Sequence, residues 1–206
     1  AHHYKFVGIE FAPAEDSEYL YNLIDLGKTD YKSLDQFPHH LVFDRCYIRS
    51  TGLNKARRGV GLNSGDTTIS NSYISGFAGA QDETQGICGW NGPGPYKIVN
   101  NYIEGGGQNI MFGGADPAVP NLVPSNIEIR RNFMYKPKEW FGRATVKAVI
   151  ELKNARNVVI DGNVLESAGL VGAFVLTVRN QSGTAPWSTL EDITITNNIV
   201  RHSAGG

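Results

Sequence analysis

Glu151, Lys153 and Arg179 are the residues of this chain whose types and spacing best suit chemistry. Alternation along an extended strand puts Glu151 and Lys153 on one face. Superposing the apolar pair Leu176/Val178 on Ile150/Leu152 sets Arg179 in the column of Lys153. Stacked strands would hold the two about 4.7–4.9 Å apart. Two cations that close, beside one carboxylate, suit the binding of a ligand carboxylate. A lysine crowded by another cation loses its proton more readily, which fits a general base. Trp90, between Gly89 and Gly92, offers an apolar ring face to the C–H groups of a sugar. Asn63 in the same column and Asp116 in a following loop are the candidate polar contacts to substrate. Each group also has a plainer explanation. Opposite charges on neighbouring strands are ordinary stabilising pairs, and Trp90 could pack beneath its Gly-Pro loop.

Other constellations are weaker. Hydrolysis of a glycosidic bond calls for two carboxylates at one of two fixed separations, and Glu151 has Met111 and Thr177 as its expected column neighbours. Adjacent histidines in a strand point to opposite faces, so His2-His3 and His39-His40 each make a poor chelate, and no metal ligands are assigned. No cofactor is assigned, with Ca²⁺ left open. A Ca²⁺ ligand cluster is not visible, and the glycine-rich run from Gly105 to Asp116 lacks the calcium-repeat spacing. Cys46 and Cys88 are expected as free thiols.

The elements that position these residues form a repeat. Six segments align: Leu41-Val-Phe-Asp-Arg-Cys-Tyr-Ile48, Thr67-Thr-Ile-Ser-Asn-Ser-Tyr-Ile74, Tyr96-Lys-Ile-Val-Asn-Asn-Tyr-Ile103, Ile127-Glu-Ile-Arg-Arg-Asn-Phe-Met134, Val158-Val-Ile-Asp-Gly-Asn-Val-Leu165 and Ile193-Thr-Ile-Thr-Asn-Asn-Ile-Val200. Their sixth position reads Cys46, Ser72, Asn101, Asn132, Asn163, Asn198, at spacings of 26, 29, 31, 31 and 35 residues. An irregular period with a fixed short motif marks a solenoid. Upstream of each motif lies a second apolar pair: Val60/Leu62, Ile87/Gly89, Ile110/Phe112, Ile150/Leu152 and Leu176/Val178. Ile24/Leu26 fits as an earlier copy, with a helix across Ser17 to Leu26 as the competing reading. Repeats in one sense favour coils stacked in parallel, and asparagines at one position can bond along an interior ladder.

Composition agrees. Glycine supplies 24 of 206 residues, about 12% against a usual 7% or so, as many tight coil corners demand. A net charge of −1 gives no basic footprint for nucleic acid, and no apolar run is long enough to insert in a membrane. The expectation is one all-β domain over residues 1–206, part of a longer polypeptide.

The pattern I-x-I-x-x-N-x-I resembles the coil signature of the right-handed parallel β-helix superfamily, the pectate-lyase-like proteins. Trp90-Asn-Gly-Pro-Gly-Pro95, Asn109-Ile-Met-Phe-Gly-Gly-Ala-Asp-Pro117 and Glu151-Leu-Lys-Asn-Ala-Arg156 look like a bacterial branch found in predicted surface or secreted proteins. The resemblance implies a right-handed β-helix of about seven coils, extracellular or at the cell surface, with a polysaccharide partner. It leaves room for further domains or for self-association through open coil ends. One fold hosts many chemistries. If the chain is catalytic, lyase action on acidic sugars would use Lys153 as base and Arg179 on the uronate carboxylate, with Glu151 beside them. The polygalacturonase motifs, and the paired calcium-binding aspartates and arginine motif of pectate lyases, are absent. The competing expectation is a non-catalytic structural or adhesive module.

Overall fold

The computed structural model describes residues 1–203. Within them the chain forms three parallel sheets and almost no helix, the arrangement of a parallel β-solenoid. Sheet A contains His2–Val7, His39–Asp44, Gly65–Ser70, Gly94–Val99, Ser125–Arg130, Ala155–Asp161 and Leu190–Thr196. Sheet B contains Glu10–Phe11, Tyr47–Arg49, Tyr73–Ser75, Tyr102–Glu104, Phe133–Tyr135, Val164–Glu166 and Ile199–Arg201. Sheet C contains Leu20–Leu26, Ala56–Leu62, Gln85–Gly89, Gln108–Phe112, Ile150–Leu152 and Phe174–Leu176. The span from Leu20 to Leu26 is therefore a strand, where a helix was the alternative.

The six motif copies run through sheets A and B in one register, with Leu41, Thr67, Tyr96, Ile127, Val158 and Ile193 in line. A seventh copy, Tyr4 to Phe11, stacks beneath them. Its sixth position is Ile9, so it does not show in the polar column. The inward aliphatic rows make one continuous core that runs from Ile24 to Ala173. Each Ile or Leu withdrawn from water there contributes about 1.5–3 kcal/mol before entropy is counted.

Two turn positions repeat in backbone conformation. The fifth motif residue is left-handed in every copy from Arg45 onward, with φ of 53° at Arg45, 52° at Asn71 and 57° at Asn100. That single residue swings the chain from sheet A to sheet B. The next residue then points inward. The Asn101 amide nitrogen donates to Asn132 Oδ1 at 3.0 Å, Asn132 to Asn163 Oδ1 at 3.0 Å, and Asn163 to Asn198 Oδ1 at 2.9 Å. The same oxygens accept the backbone N–H groups of the coil before.

Candidate functional site

The candidate residues lie on the outer face of sheet C, where pairing sets Asp25, Gly61, Cys88, Met111 and Glu151 in one column. The last coil departs from the expected register. Glu151 stands opposite Val175 and Leu152 opposite Leu176, two residues earlier than the Leu176/Val178 superposition predicts. Phe174, Leu176 and Val178 are all apolar with period two, so a two-residue slip keeps the same face inward. Arg179 still ends beside Lys153, because its N–H donates to the Lys153 carbonyl at 3.0 Å. Its guanidinium is exposed, with no side-chain partner among the described residues.

Glu151 and Lys153 come together as an ion pair at 3.2 Å, both largely buried. Glu151 also accepts a 2.5 Å hydrogen bond from Gln108 Nε2, and Lys153 Nζ lies 3.9 Å from Met111 Sδ. The pair ends a longer chain of contacts that alternation alone did not reveal. Arg58 donates to Gln85 Oε1 at 2.9 Å, Gln85 to Gln108 Oε1 at 2.8 Å, and Gln108 also to Glu83 at 3.1 Å. Glu83 pairs in turn with Lys147. Burial would raise the Glu83 carboxyl, but hydrogen bonds from Lys147 and Gln108 outweigh it and hold the group below the usual range.

Simple alternation assigns Arg58, Gln85 and Gln108 to the interior, in phase with Val60, Ile87 and Ile110. A bulge reverses them. A side chain added at Gly59 would meet Phe77, and one at Gly86 would meet Ile103, so each glycine faces inward next to an inward aliphatic residue. In the next coil Asn109 and Ile110 both donate to the Val149 carbonyl, the extra-residue pattern of a bulge. Glycine immediately before an inward aliphatic residue was the available signal.

Trp90 is only 4% exposed, packed with Cys88 and Met111. The Arg58 guanidinium lies 4.9 Å from its ring centre and 4.6 Å from that of Tyr21. Small residues at Gly61 and Gly113 would leave a shallow groove along this face for a polysaccharide, but the packed Trp90, Met111 and Arg58 side chains fill it. Glycine on this face marks tight packing: a Cβ at Gly61 would sit 2.8 Å from the Asn22 side chain and one at Gly113 2.7 Å from Lys153 Cβ. Burial pushes the Cys88 thiol above its ordinary range, so it is not a ready nucleophile.

Asn63 and Asp116 hold backbone. Asn63 Oδ1 accepts the N–H groups of Trp90 and Asn91, both at 3.0 Å, while its buried Nδ2 has no partner. Asn91 continues outward to the carbonyls of Lys28, Thr29 and Tyr31. The Asp116 carboxylate accepts the N–H groups of Gln181, Ser182 and Thr184, at 2.6, 2.9 and 2.9 Å, and the Thr184 hydroxyl. Partial desolvation would raise this carboxyl, but the bonds from Thr184, Ser182 and Gln181 lower it. Asp116→Ala therefore frees the loop after Arg179. Trypsin should cut after Arg179 at least about tenfold faster, the equivalent of roughly 1.4 kcal/mol, with the melting transition little changed. An unchanged cleavage rate would show that the latch does not hold the loop. The carboxylate's contribution is complete above its unfolded pKa of about 3.9 and fades as pH falls toward the lower folded value. Wild-type cleavage should accordingly approach the variant's only under strongly acidic conditions, checked with an acid-active protease.

Among the described residues no helix is long and apolar enough to cross a membrane. No family model matches the chain, and neither a curated protein nor a solved structure does.

Proposed function

We propose that this chain is a structural or adhesive β-helix module, which acts through its surface and its length and catalyses no reaction. One observation carries the reading: of the groups suited to chemistry, all but Arg179 are already engaged by other parts of the chain. Glu151 holds Lys153 and Gln108, Trp90 is covered by Arg58, Asn63 and Asp116 hold backbone N–H groups. A catalytic carboxylate or base must instead be free to reach a substrate atom.

The finer fold reading belongs to the same proposal. Strands that return to one parallel sheet do so with right-handed crossovers in nearly all known cases, which supports a right-handed, pectate-lyase-like helix. The seven strands of sheets A and B support about seven coils. The amide bonds from Asn101 to Asn198 support an interior asparagine ladder. A place outside the cell or on its surface rests on the resemblance alone.

A second reading has one specific support. Arg179 is exposed and unpaired beside the backbone of Lys153, as a subsite for the carboxylate of an acidic polysaccharide would be. The test incubates the full-length protein with a panel of uronate and neutral polysaccharides, then measures unsaturated ends and reducing ends. The structural reading expects no product, and Lys153→Ala and Arg179→Ala leave any retention on the polysaccharides unchanged. Product formation lost in either variant, with folding retained, would overturn it in favour of a lyase.

A further inference from the structure

We propose that His2, His3, His39 and His40 form a pH-sensitive latch, which holds the start of the first strand against the second coil at neutral pH and releases it in mild acid. The latch is separate from sheet C and independent of the module's proposed role. Its origin is a second repeated turn, at the start of sheet A. His3, His40, Asp66, Asn126, Asn157 and Asp192 there have φ of 61°, 55°, 32°, 58°, 51° and 54°. In an extended strand the rings of His2 and His3 would lie on opposite faces, and so would those of His39 and His40. The left-handed second residue of each pair turns its ring back beside the first. His2 Nδ1 lies 2.7 Å from His3 Nδ1, and His39 Nδ1 lies 2.6 Å from His40 Nδ1.

Strand pairing then superposes the two pairs. His2 stands opposite His39, with ring centres 5.1 Å apart and planes 9° from parallel. His3 stacks on His40 at 4.5 Å. Beside the rings, the His39 N–H donates to the Ala1 carbonyl at 3.1 Å. Among the described residues, the other charged groups that meet the rings are Asp66, with Oδ2 3.3 Å from His40 Nε2, and the amino group at Ala1. Farther along the strand Phe6 stacks on Phe43 at 4.8 Å, so the strand stays anchored when its first residues leave. Ala1 and Tyr4 also line a cavity of about 370 Å³ together with Leu26, Pro38 and Leu41, and their release opens it.

These contacts admit few protons. Nitrogens this close must share one hydrogen, given by one ring and accepted by the other. The donor ring can take a further proton on Nε2 and keep the bond. A proton on the acceptor's Nδ1 sets two N–H groups against each other and breaks it. The closed latch therefore carries at most one charge per pair, and the two charges lie in stacked coils, where they repel. Asp66 offsets one of them at His40. Partial desolvation, and then the rings of His40, His2 and His3, hold the His39 imidazole below the ordinary histidine range. A released strand has no such limit, so opening takes up protons. The latch is complete above the unfolded histidine value of about 6.5 and weakens as pH falls below it. Each proton taken up multiplies the open fraction by up to about tenfold per pH unit.

The test follows hydrogen exchange at the His39 amide of the full-length protein by NMR, from about pH 7.5 down to about 5. The Ile129 amide of a central coil serves as the reference, so that the intrinsic pH dependence of exchange cancels. The ratio of the two rates should rise at least about tenfold toward acid. His3→Asn with His40→Asn keeps the left-handed turns and removes one ring from each pair, which should flatten the rise. Circular dichroism at neutral pH establishes that the double variant remains folded. Asp66→Asn, which keeps every ring, serves if it does not. With the compensating carboxylate gone, its rise should begin at higher pH. A ratio that stays constant in the wild type would overturn the latch. So would a rise that the double variant retains in full, or one that Asp66→Asn leaves in place or moves to lower pH.

Discussion

Asn132→Ala lowers the stability of the domain by about 3–5 kcal/mol, seen as a fall of roughly 10 °C in the melting temperature. Asn132 is 2% exposed and uses both ends of its amide. Nδ2 donates to the Ile98 carbonyl at 2.9 Å and to Asn163 Oδ1 at 3.0 Å. Oδ1 accepts from the Asn101 backbone N–H at 2.9 Å and from the Asn101 amide at 3.0 Å. Alanine deletes all four bonds and strands donors and acceptors where water does not reach, at about 1–3 kcal/mol for each group left bare. In a solenoid each coil contacts only its neighbours, so the damage should centre on the coils carrying Asn101 and Asn163. Hydrogen exchange would locate it there. Asn132→Asp separates the two halves of the amide. It keeps an acceptor for Asn101, loses the NH₂ donor, and buries a charge against the oxygens of Ile98 and Asn163. Its folded pKa is therefore raised above the unfolded value. The deficit relative to wild type should be small at acid pH and grow as pH rises through that folded value. A melting shift below about 3 °C for the alanine variant would show that the asparagine column is incidental to stability.

The asparagine column was legible because it is a local repeat of one residue type between aliphatic positions. So was most of the strand register, because a side-chain period of two leaves a buried face little freedom to slip. Legibility failed where that constraint weakened. Phe174, Leu176 and Val178 satisfy two registers equally, and the chain takes the earlier one. Ile9 stands where later copies carry the polar marker of the repeat, so the coil at Tyr4 to Phe11 lacks that signal.

The outer face of sheet C fails for a different reason. Alternation alone gives its column of Cys88, Met111 and Glu151. Their filling depends on Arg58, Gln85 and Gln108, which a bulge moves from the inside to the outside. One extra inward residue per coil inverts every neighbour on its N-terminal side, and alternation carries no record of it. The histidine pairs repeat the lesson. Left-handed φ at His3 and His40 brings together rings that a regular strand keeps apart. Asparagine or aspartate at the equivalent Asp66, Asn126, Asn157 and Asp192 was the signal, since these residues tolerate that conformation best among those with side chains.

Lys136→Met should cost about 2–4 kcal/mol at neutral pH, and its deficit should widen in alkali. Lys136 is fully buried, without a carboxylate partner among the described residues. Its ammonium instead donates to the carbonyl oxygens of Gly105, Gly106 and Gly107, at 2.6, 2.8 and 3.4 Å. Three successive glycines make that cage because side chains have no room: a Cβ at Gly105 would lie 2.1 Å from the Gln108 carbonyl oxygen. Two effects compete in the substitution. Methionine retains most of the apolar stem and removes the cost of burying a charge, which favours the variant. It also removes three charge-assisted bonds from carbonyls turned into the corner, each worth about 1.5–3 kcal/mol. The bonds win at neutral pH, because among the described residues only the Gly106 carbonyl has a second donor there, the Lys147 N–H. Burial pushes the Lys136 amine well below the usual lysine range. Between that lowered folded pKa and the unfolded value of about 10.4, the unfolded chain binds the extra proton, so wild-type stability gains with rising pH. The methionine variant has no such gain. Denaturant melts of both proteins across neutral to alkaline pH measure the difference directly. A gap that stays constant over that range would mean that Lys136 titrates alike in the folded and unfolded chains, and that its carbonyl cage fully offsets the cost of burial.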